Sequence, residues 1–179
     1  MNNIKELIKT ADGIKITKKE KTKSIQTALD TLGKSTYLML VMEEIGELIE
    51  VVSDNMLGKA SYYHTAEEIT DALISTEILT VIYNIKDKKI DKVKKSHAKR
   101  KKSVLFQSIK DLSKAQQDIS KTVRAKDADT VKIIHAINLI NETCENLIHI
   151  FKIKKKDIAK IEKLKFKRLR DRIDNGTLH

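Results

Sequence analysis

Nine carboxylates fall between Ser35 and Ile85: Glu43, Glu44, Glu47, Glu50, Asp54, Glu67, Glu68, Asp71 and Glu77. The same stretch holds one lysine, Lys59, and no arginine, so it carries −8 within a chain whose formal net charge is +11. Two pairs, Glu44 with Glu47 and Glu68 with Asp71, have i, i+3 spacing, which on a helix aims both side chains at one spot. Two antiparallel helices presenting such pairs to each other build a cage of hard oxygen ligands suited to magnesium or manganese. The plain alternative is a solvated helix side. In so basic a chain, however, a solvated side should be laced with lysines at i, i+4, and here the carboxylates stand unrelieved, which costs free energy unless a cation joins them. A di-iron centre would want Glu-x-x-His, and no such pair occurs; Glu145 and His149 are one residue too far apart.

The elements that must hold these pairs read as helices. Helical periodicity runs through almost the whole chain and strand alternation is absent. There is no proline in 179 residues, and the 34% charged fraction suits short, solvated connections. The expectation is an all-α fold with helices over Lys15–Leu32, closed by Gly33, and over Ser35–Asn55. A third should run over Thr65–Ile85, with Thr65 and Glu68 at capping-box spacing. Further helices are expected over Lys102–Arg124, Asp127–Phe151 with Asp127 as its cap, and Lys155–Asp174. The stretch Lys86–Lys102, with ten basic residues in 17, reads as a helix or a charged joint. On a wheel centred on Glu44, Leu38, Val41, Ile45, Leu48, Ile49 and Val52 fall between roughly 40° and 140°, and Glu43, Glu47, Glu50 and Asp54 between roughly 240° and 300°. The third helix carries Ile69, Ala72, Leu73, Ile74, Ile78, Leu79, Val81 and Ile82 on almost every side, so it should be largely buried, its carboxylates with it.

Composition narrows the class further. An apolar fraction of 40% supports a core. The lone Cys144 and the absence of Cys/His clusters at zinc spacing argue against a disulfide module or a structural zinc domain. Neither a signal-peptide run nor 18 consecutive apolar residues occurs, so a cytoplasmic protein without a membrane partner is expected. The basic excess would suit nucleic acid, but lysine outnumbers arginine 31 to 5, and the 4% of aromatic residues are not interleaved with the basic runs as stacking platforms would be.

The chain also resembles itself. A shift of 67 lays LVMEEIGELIEVVSDN over QSIKDLSKAQQDISKT, and a shift of 67 or 68 lays the following EITDALISTEILTVIYNIKDKKIDKVKKSHAKR over HAINLINETCENLIHIFKIKKKDIAKIEKLKFKR. Apolar positions correspond while identity is low, so the readings are a duplicated helical hairpin or two amphipathic stretches that align by periodicity. The division is then a 1–14 segment, a 15–101 repeat holding the carboxylates, and a degenerate 102–179 repeat with a basic C-terminal helix. Lys110, Asp111 and Lys114 stand where the first copy has Glu43, Glu44 and Glu47, and about His135 and Asn138 where it has Glu68 and Asp71. The counterpart of the basic close in the first copy is His97-Ala98-Lys99-Arg100.

The series Glu43-Glu44-Ile45-Gly46-Glu47, followed after 20 residues by Glu68-Ile69-Thr70-Asp71, resembles the EExxE and ExxD signature of the MazG-like all-α nucleoside triphosphate pyrophosphohydrolases, which include the dimeric dUTPases and dCTPases. Gly33-Lys34 resembles the glycine that opens the metal-binding helix in many members, and Glu77 falls where members often carry another Glu. Lys165-Phe166-Lys167-Arg168-Leu169-Arg170-Asp171-Arg172-Ile173 looks like their K-x-x-R-L-x-x-R-I close. The resemblance implies Glu44, Glu47, Glu68 and Asp71 as ligands of Mg2+, or of Mn2+, and Glu43 or Glu47 as the carboxylate that orients the attacking water. It implies Lys165, Arg168 and Arg172 as contacts to the phosphates of a nucleoside triphosphate, and leaves room for a homo-oligomer. The implied reaction is hydrolysis of a (d)NTP to the monophosphate and pyrophosphate. The rival expectations are a basic helical module binding nucleic acid or protein, and a nucleotide-binding protein of the same fold without turnover. Tyr37, Tyr62, Tyr63 and His64 lie near the carboxylates in sequence, as base contacts or as packing.

Overall fold

The computed structural model describes residues 4–91, 101–125 and 129–178, and within them every regular element is helical. A short α1 (Ile4–Thr10) leads through a 3-10 turn at Ala11–Gly13 to α2 (Lys18–Leu32). Then come α3 (Lys34–Met56), α4 (Tyr62–Ile82), α5 (Lys101–Arg124), α6 (Thr130–Ile150) and α7 (Lys155–Asp174). None of the described helices is long and apolar enough to cross a membrane.

Local chemistry decides where the helices begin, and at three places it departs from the sequence expectation. Helix α2 starts at Lys18 rather than Lys15 because Thr17 closes a capping box: its Oγ1 accepts from Glu20 N at 3.2 Å while Glu20 Oε2 accepts from Thr17 N at 2.7 Å. Helix α4 starts a turn earlier than expected. Ser61, not Thr65, is its cap, accepting from His64 N at 3.2 Å, and Thr65 Oγ1 instead donates to the Ser61 carbonyl at 2.9 Å from inside the helix. Glu68 is thereby released from capping. Helix α6 is capped by Asp129, whose carboxylate accepts from Lys132 N at 3.2 Å; Asp127 lies outside the described residues, as does His97-Ala98-Lys99-Arg100. Of the basic stretch Lys86–Lys102, residues 87–89 form a 3-10 turn and Lys101 opens α5. Gly33, at φ 82°, ends α2 and starts α3 in one residue, a backbone that favours glycine.

Helices α3 and α4 form an antiparallel hairpin. Asn55 Nδ2 donates to Thr65 Oγ1 at 2.9 Å near the connection, and Glu44 meets Glu68 and Asp71 further along, so the pairing descends α3 as it climbs α4. Helices α5 and α6 form a second hairpin, with α3 packed on α5 and α4 on α6, while α7 lies across α4, α2 and α1. The C-terminal helix therefore belongs physically with the first hairpin. The described part of the 1–14 segment, residues 4–14, packs there too: Ala11 is fully buried, and Asp12 pairs with Lys160 of α7.

The core matches the wheel. Leu38, Val41, Ile45, Leu48 and Val52 of α3 are buried with Ile69, Leu79, Leu112, Ile119, Ile137, Ile140 and Leu147 from the other three helices. Removing a completely buried side chain, as in Leu48→Ala, costs about 2–5 kcal/mol in such a site. Helix α4 is buried on most sides, Glu68 and Asp71 included. The hairpins also end alike. Asn84 and Lys152, 68 residues apart, both adopt left-handed backbone at φ 49° and 54°, and Ile85 N and Ile153 N each donate at 2.9 Å to the carbonyl five residues back, Thr80 and Ile148.

Candidate metal centre

The α3–α4 crossing brings Glu44, Glu68 and Asp71 together: one carboxylate oxygen from each lies within 4.8 Å of the others. Glu68 is 7% exposed and its Oε2 has no hydrogen-bond partner, while its Oε1 stands 3.4 Å from His64 Nδ1. An unsatisfied buried carboxylate oxygen is costly, and either a proton or a bound cation relieves the cost. The donor set is all oxygen and hard, which fits Mg2+ or Mn2+.

The electrostatics carry the same message. Burial pushes Glu44 up to about 7, helped by the neighbouring charges of Asp71, Glu47 and Glu43 and opposed by Lys165. Burial likewise lifts Glu68 to about 8, with Asp71, Glu47 and Glu44 adding to the shift. Asp71 is also raised by burial, against the pull of Lys165. These carboxylates share one field, so their protons leave as a coupled set.

Other expected residues are distributed around this centre. Glu43 and Glu47 are exposed at its edge; their charges reach the buried group, but Glu47 lies outside the close-set oxygens. Lys165 arrives from α7 and donates to Asp71 Oδ2 at 2.6 Å, with Glu67 Oε1 at 3.0 Å. Burial works against its charge, but Asp71 and Glu67 outweigh that and hold its pKa above the ordinary lysine value. Arg168 and Arg172, at i+3 and i+7 from Lys165, extend the same face of α7; both are exposed and neither forms an ion pair among the described residues. Glu77 is drawn away from the cluster and pairs with Lys21, which also holds Glu162. Tyr37 is buried, and the Arg172 charge is felt at its hydroxyl. Tyr62 is structural: its hydroxyl donates to Asp157 at 2.9 Å and accepts from Lys154 N at the start of α7.

Two residues of the centre were not singled out as ligands from sequence, Glu67 and His64. The signal was present: His64, Glu67, Glu68 and Asp71 stand at i, i+3, i+4 and i+7, one stripe of a helix, once the helix is known to start at Tyr62. Away from the centre, a groove of about 430 Å³ runs between α3 and α5, lined by Met42, Gln116, Ser120 and Arg124 among others. Met42 is some 200° around α3 from Glu44 at 100° per residue, so this groove is on the other side of that helix.

The fold and the site thus define an all-α bundle with a buried cluster of carboxylates whose oxygens are close enough to share a cation. No family model matches the chain, and no curated protein or solved structure is significantly similar to it.

Proposed function

We propose that the chain is a divalent-metal-dependent hydrolase of nucleoside triphosphates, releasing the monophosphate and pyrophosphate. The observation that carries the reading is the buried Glu68 oxygen, unpartnered among the described residues and set among Glu44 and Asp71, with the exposed Arg168 and Arg172 following Lys165 on α7. Glu44, Glu68 and Asp71 would hold the ion, with Glu47 closing in from the edge. Bound there, Mg2+ supplies charge neutralisation for the phosphates and polarisation of the attacked phosphorus. The chain's own residues do the rest. Glu43 and Glu47, exposed at the edge of the centre, orient a water and accept its proton, while Lys165, Arg168 and Arg172 bind the phosphate chain and offset charge growing on the departing pyrophosphate. The hairpin correspondence at offsets of 67 and 68 supports a duplicated ancestor in which one half kept the carboxylates and the other supplies the cationic helix.

The deciding experiment is a panel of NTPs and dNTPs with Mg2+ or Mn2+, read out as pyrophosphate, with Glu68→Gln as the control. Release from at least one nucleotide that disappears in the control supports the reading. Tight nucleotide binding without release would instead identify a nucleotide-binding protein of the same construction. A second reading rests on Lys165, which already provides a positive partner for Asp71 and Glu67: a metal-free ion cluster that ties α7 to α4. It requires that millimolar Mg2+ leave the thermal midpoint unchanged.

A further inference from the structure

The stripe on α4 holds more ligands than one oxygen cage uses. His64, Glu67 and Glu68 each offer an atom such that all three lie within 4.8 Å of one another. Ligands about 2.0 to 2.2 Å from one ion sit no more than about 4.4 Å apart, so this set needs only side-chain adjustment to close on a cation. Glu68 belongs to both groups. Its Oε1 faces His64 Nδ1 at 3.4 Å and its Oε2 is buried without a partner, the arrangement of a carboxylate able to serve two ions. Charge counting agrees: Glu44, Glu47, Glu67, Glu68 and Asp71, when ionised, against Lys165 leave −4, which two dications balance.

We propose that His64, Glu67 and Glu68 form a second cation position beside the first, and that its imidazole makes it select a first-row transition dication over Mg2+. The inference rests on the metal reading of Glu44, Glu68 and Asp71 given above. Imidazole suits borderline first-row dications such as Zn2+, Fe2+ and Ni2+, whereas carboxylates alone suit Mg2+, Ca2+ and Mn2+. The position is reachable: His64 keeps 38% of its side-chain surface exposed at the start of α4, and the Ser61 cap fixes the backbone beneath it. Filling it requires Lys165 to leave Glu67, a swing of one lysine head from a partly open site.

The test is titration of the full, metal-stripped chain with Co2+ and, separately, Mg2+, by calorimetry and by the visible Co2+ spectrum, which reports nitrogen ligation. Wild type should bind two Co2+, one with nitrogen in its coordination shell. His64→Ala should lose the nitrogen signature and weaken the second Co2+ by at least about tenfold, with Mg2+ binding little altered, and Glu68→Gln should weaken both ions. His135→Ala, which removes the exposed imidazole beside Asp118, should change neither ion. Co2+ binding without a nitrogen signature, or a signature lost with His135 rather than His64, overturns this inference and leaves the oxygen cage standing. No binding of either metal by the wild type overturns both.

Discussion

The two hairpins share bounds and terminations but treat a buried carboxylate in opposite ways. In α5–α6 it is Asp118, 3% exposed, which accepts from Lys114 at 2.6 Å and pairs with His135 Nδ1 at 2.8 Å. Burial alone would raise its pKa, but the two hydrogen bonds outweigh burial and hold it below the ordinary aspartate value. In α3–α4, Glu44 and Glu68 are held far above theirs, and one oxygen of Glu68 is bonded to nothing. At the offset of 68 that relates α4 to α6, Glu67 corresponds to His135, Glu68 to Ala136 and Asp71 to Leu139. At the positions of Glu68 and Asp71 the second hairpin carries apolar residues, and its buried Asp118 is satisfied internally. A buried acid with its partners in place is satisfied within the fold; one left without them either keeps its proton or needs a cation.

The sharpest break of that comparison is Glu68→Gln. It should abolish most of the metal-induced rise in thermal midpoint, which for a ligand at 100 times its Kd amounts to about 2.7 kcal/mol. Because a metal's Lewis-acid contribution is worth several kcal/mol, turnover should fall by at least about a hundredfold. Differential scanning calorimetry with and without millimolar Mg2+ reads the first, pyrophosphate release the second. A Gln variant that still gains stability from metal would place the ion elsewhere.

Next come the arginines. If Arg168 and Arg172 bind phosphate, each change to Ala removes a charge-assisted contact worth roughly 1.5 to 3 kcal/mol, or about tenfold to a hundredfold in nucleotide affinity or kcat/KM. The metal-induced thermal shift should survive both. Changes below about twofold would make this face of α7 merely solvated, as most surface charges are.

How much of this was legible in the sequence depends on what sets each feature. The core stripe of α3 and the burial of α4 follow from apolar spacing alone, so Leu38 to Val52 read correctly. Starts of helices were read less well, because Ser61 and Thr65 are both competent caps and only tertiary packing chooses between them. That choice hid His64: with α4 begun at Thr65, His64 falls in a loop rather than on one stripe with Glu67, Glu68 and Asp71. The capture of Lys165 by Asp71 was invisible for another reason, since 94 residues separate them and no local pattern encodes the approach of α7 to α4. Glu77 misled in the same way, its neighbour Lys21 coming from α2.

A smaller effect separates satisfied from unsatisfied acids by their counter-ions. Lys114→Met combined with His135→Leu strands the Asp118 carboxylate and should lower stability by about 1–3 kcal/mol. Lys165→Met strands Asp71 and Glu67 in turn. Added Mg2+ should rescue the Lys165 variant and bind it more tightly than wild type, because the competing ammonium is gone. It should leave the Lys114/His135 pair unrescued. Denaturant melts with and without Mg2+ distinguish the two; equal rescue would mean that both hairpins bind metal.

The smallest expected effect is a slope with pH in the absence of metal. Folded, Glu44 and Glu68 keep their protons up to about 7 and about 8; unfolded, they release them near 4.5. Between those values the folded state binds more protons than the unfolded one, so stability must fall as pH rises from 5 to 8. Asp118 has the other sign: its contribution is present above the unfolded value of 3.8 and is lost only as pH falls through its lower folded value, so it adds nothing to the slope in that window. His64 faces Glu68 at 3.4 Å, so the comparison belongs in a His64→Ala background. In EDTA, the thermal midpoint of that variant should drop between pH 5 and 8. Adding Glu68→Gln should flatten the drop, whereas adding Asp118→Asn should lower the curve by a constant amount above about pH 4, leave the drop intact and change the slope only below that. With saturating Mg2+ the slope should reverse, because the cation binds the ionised carboxylates and its gain grows as they lose their protons. A flat curve without metal would mean that these acids are already satisfied, and the contrast between the hairpins would then be one of sequence rather than of energy.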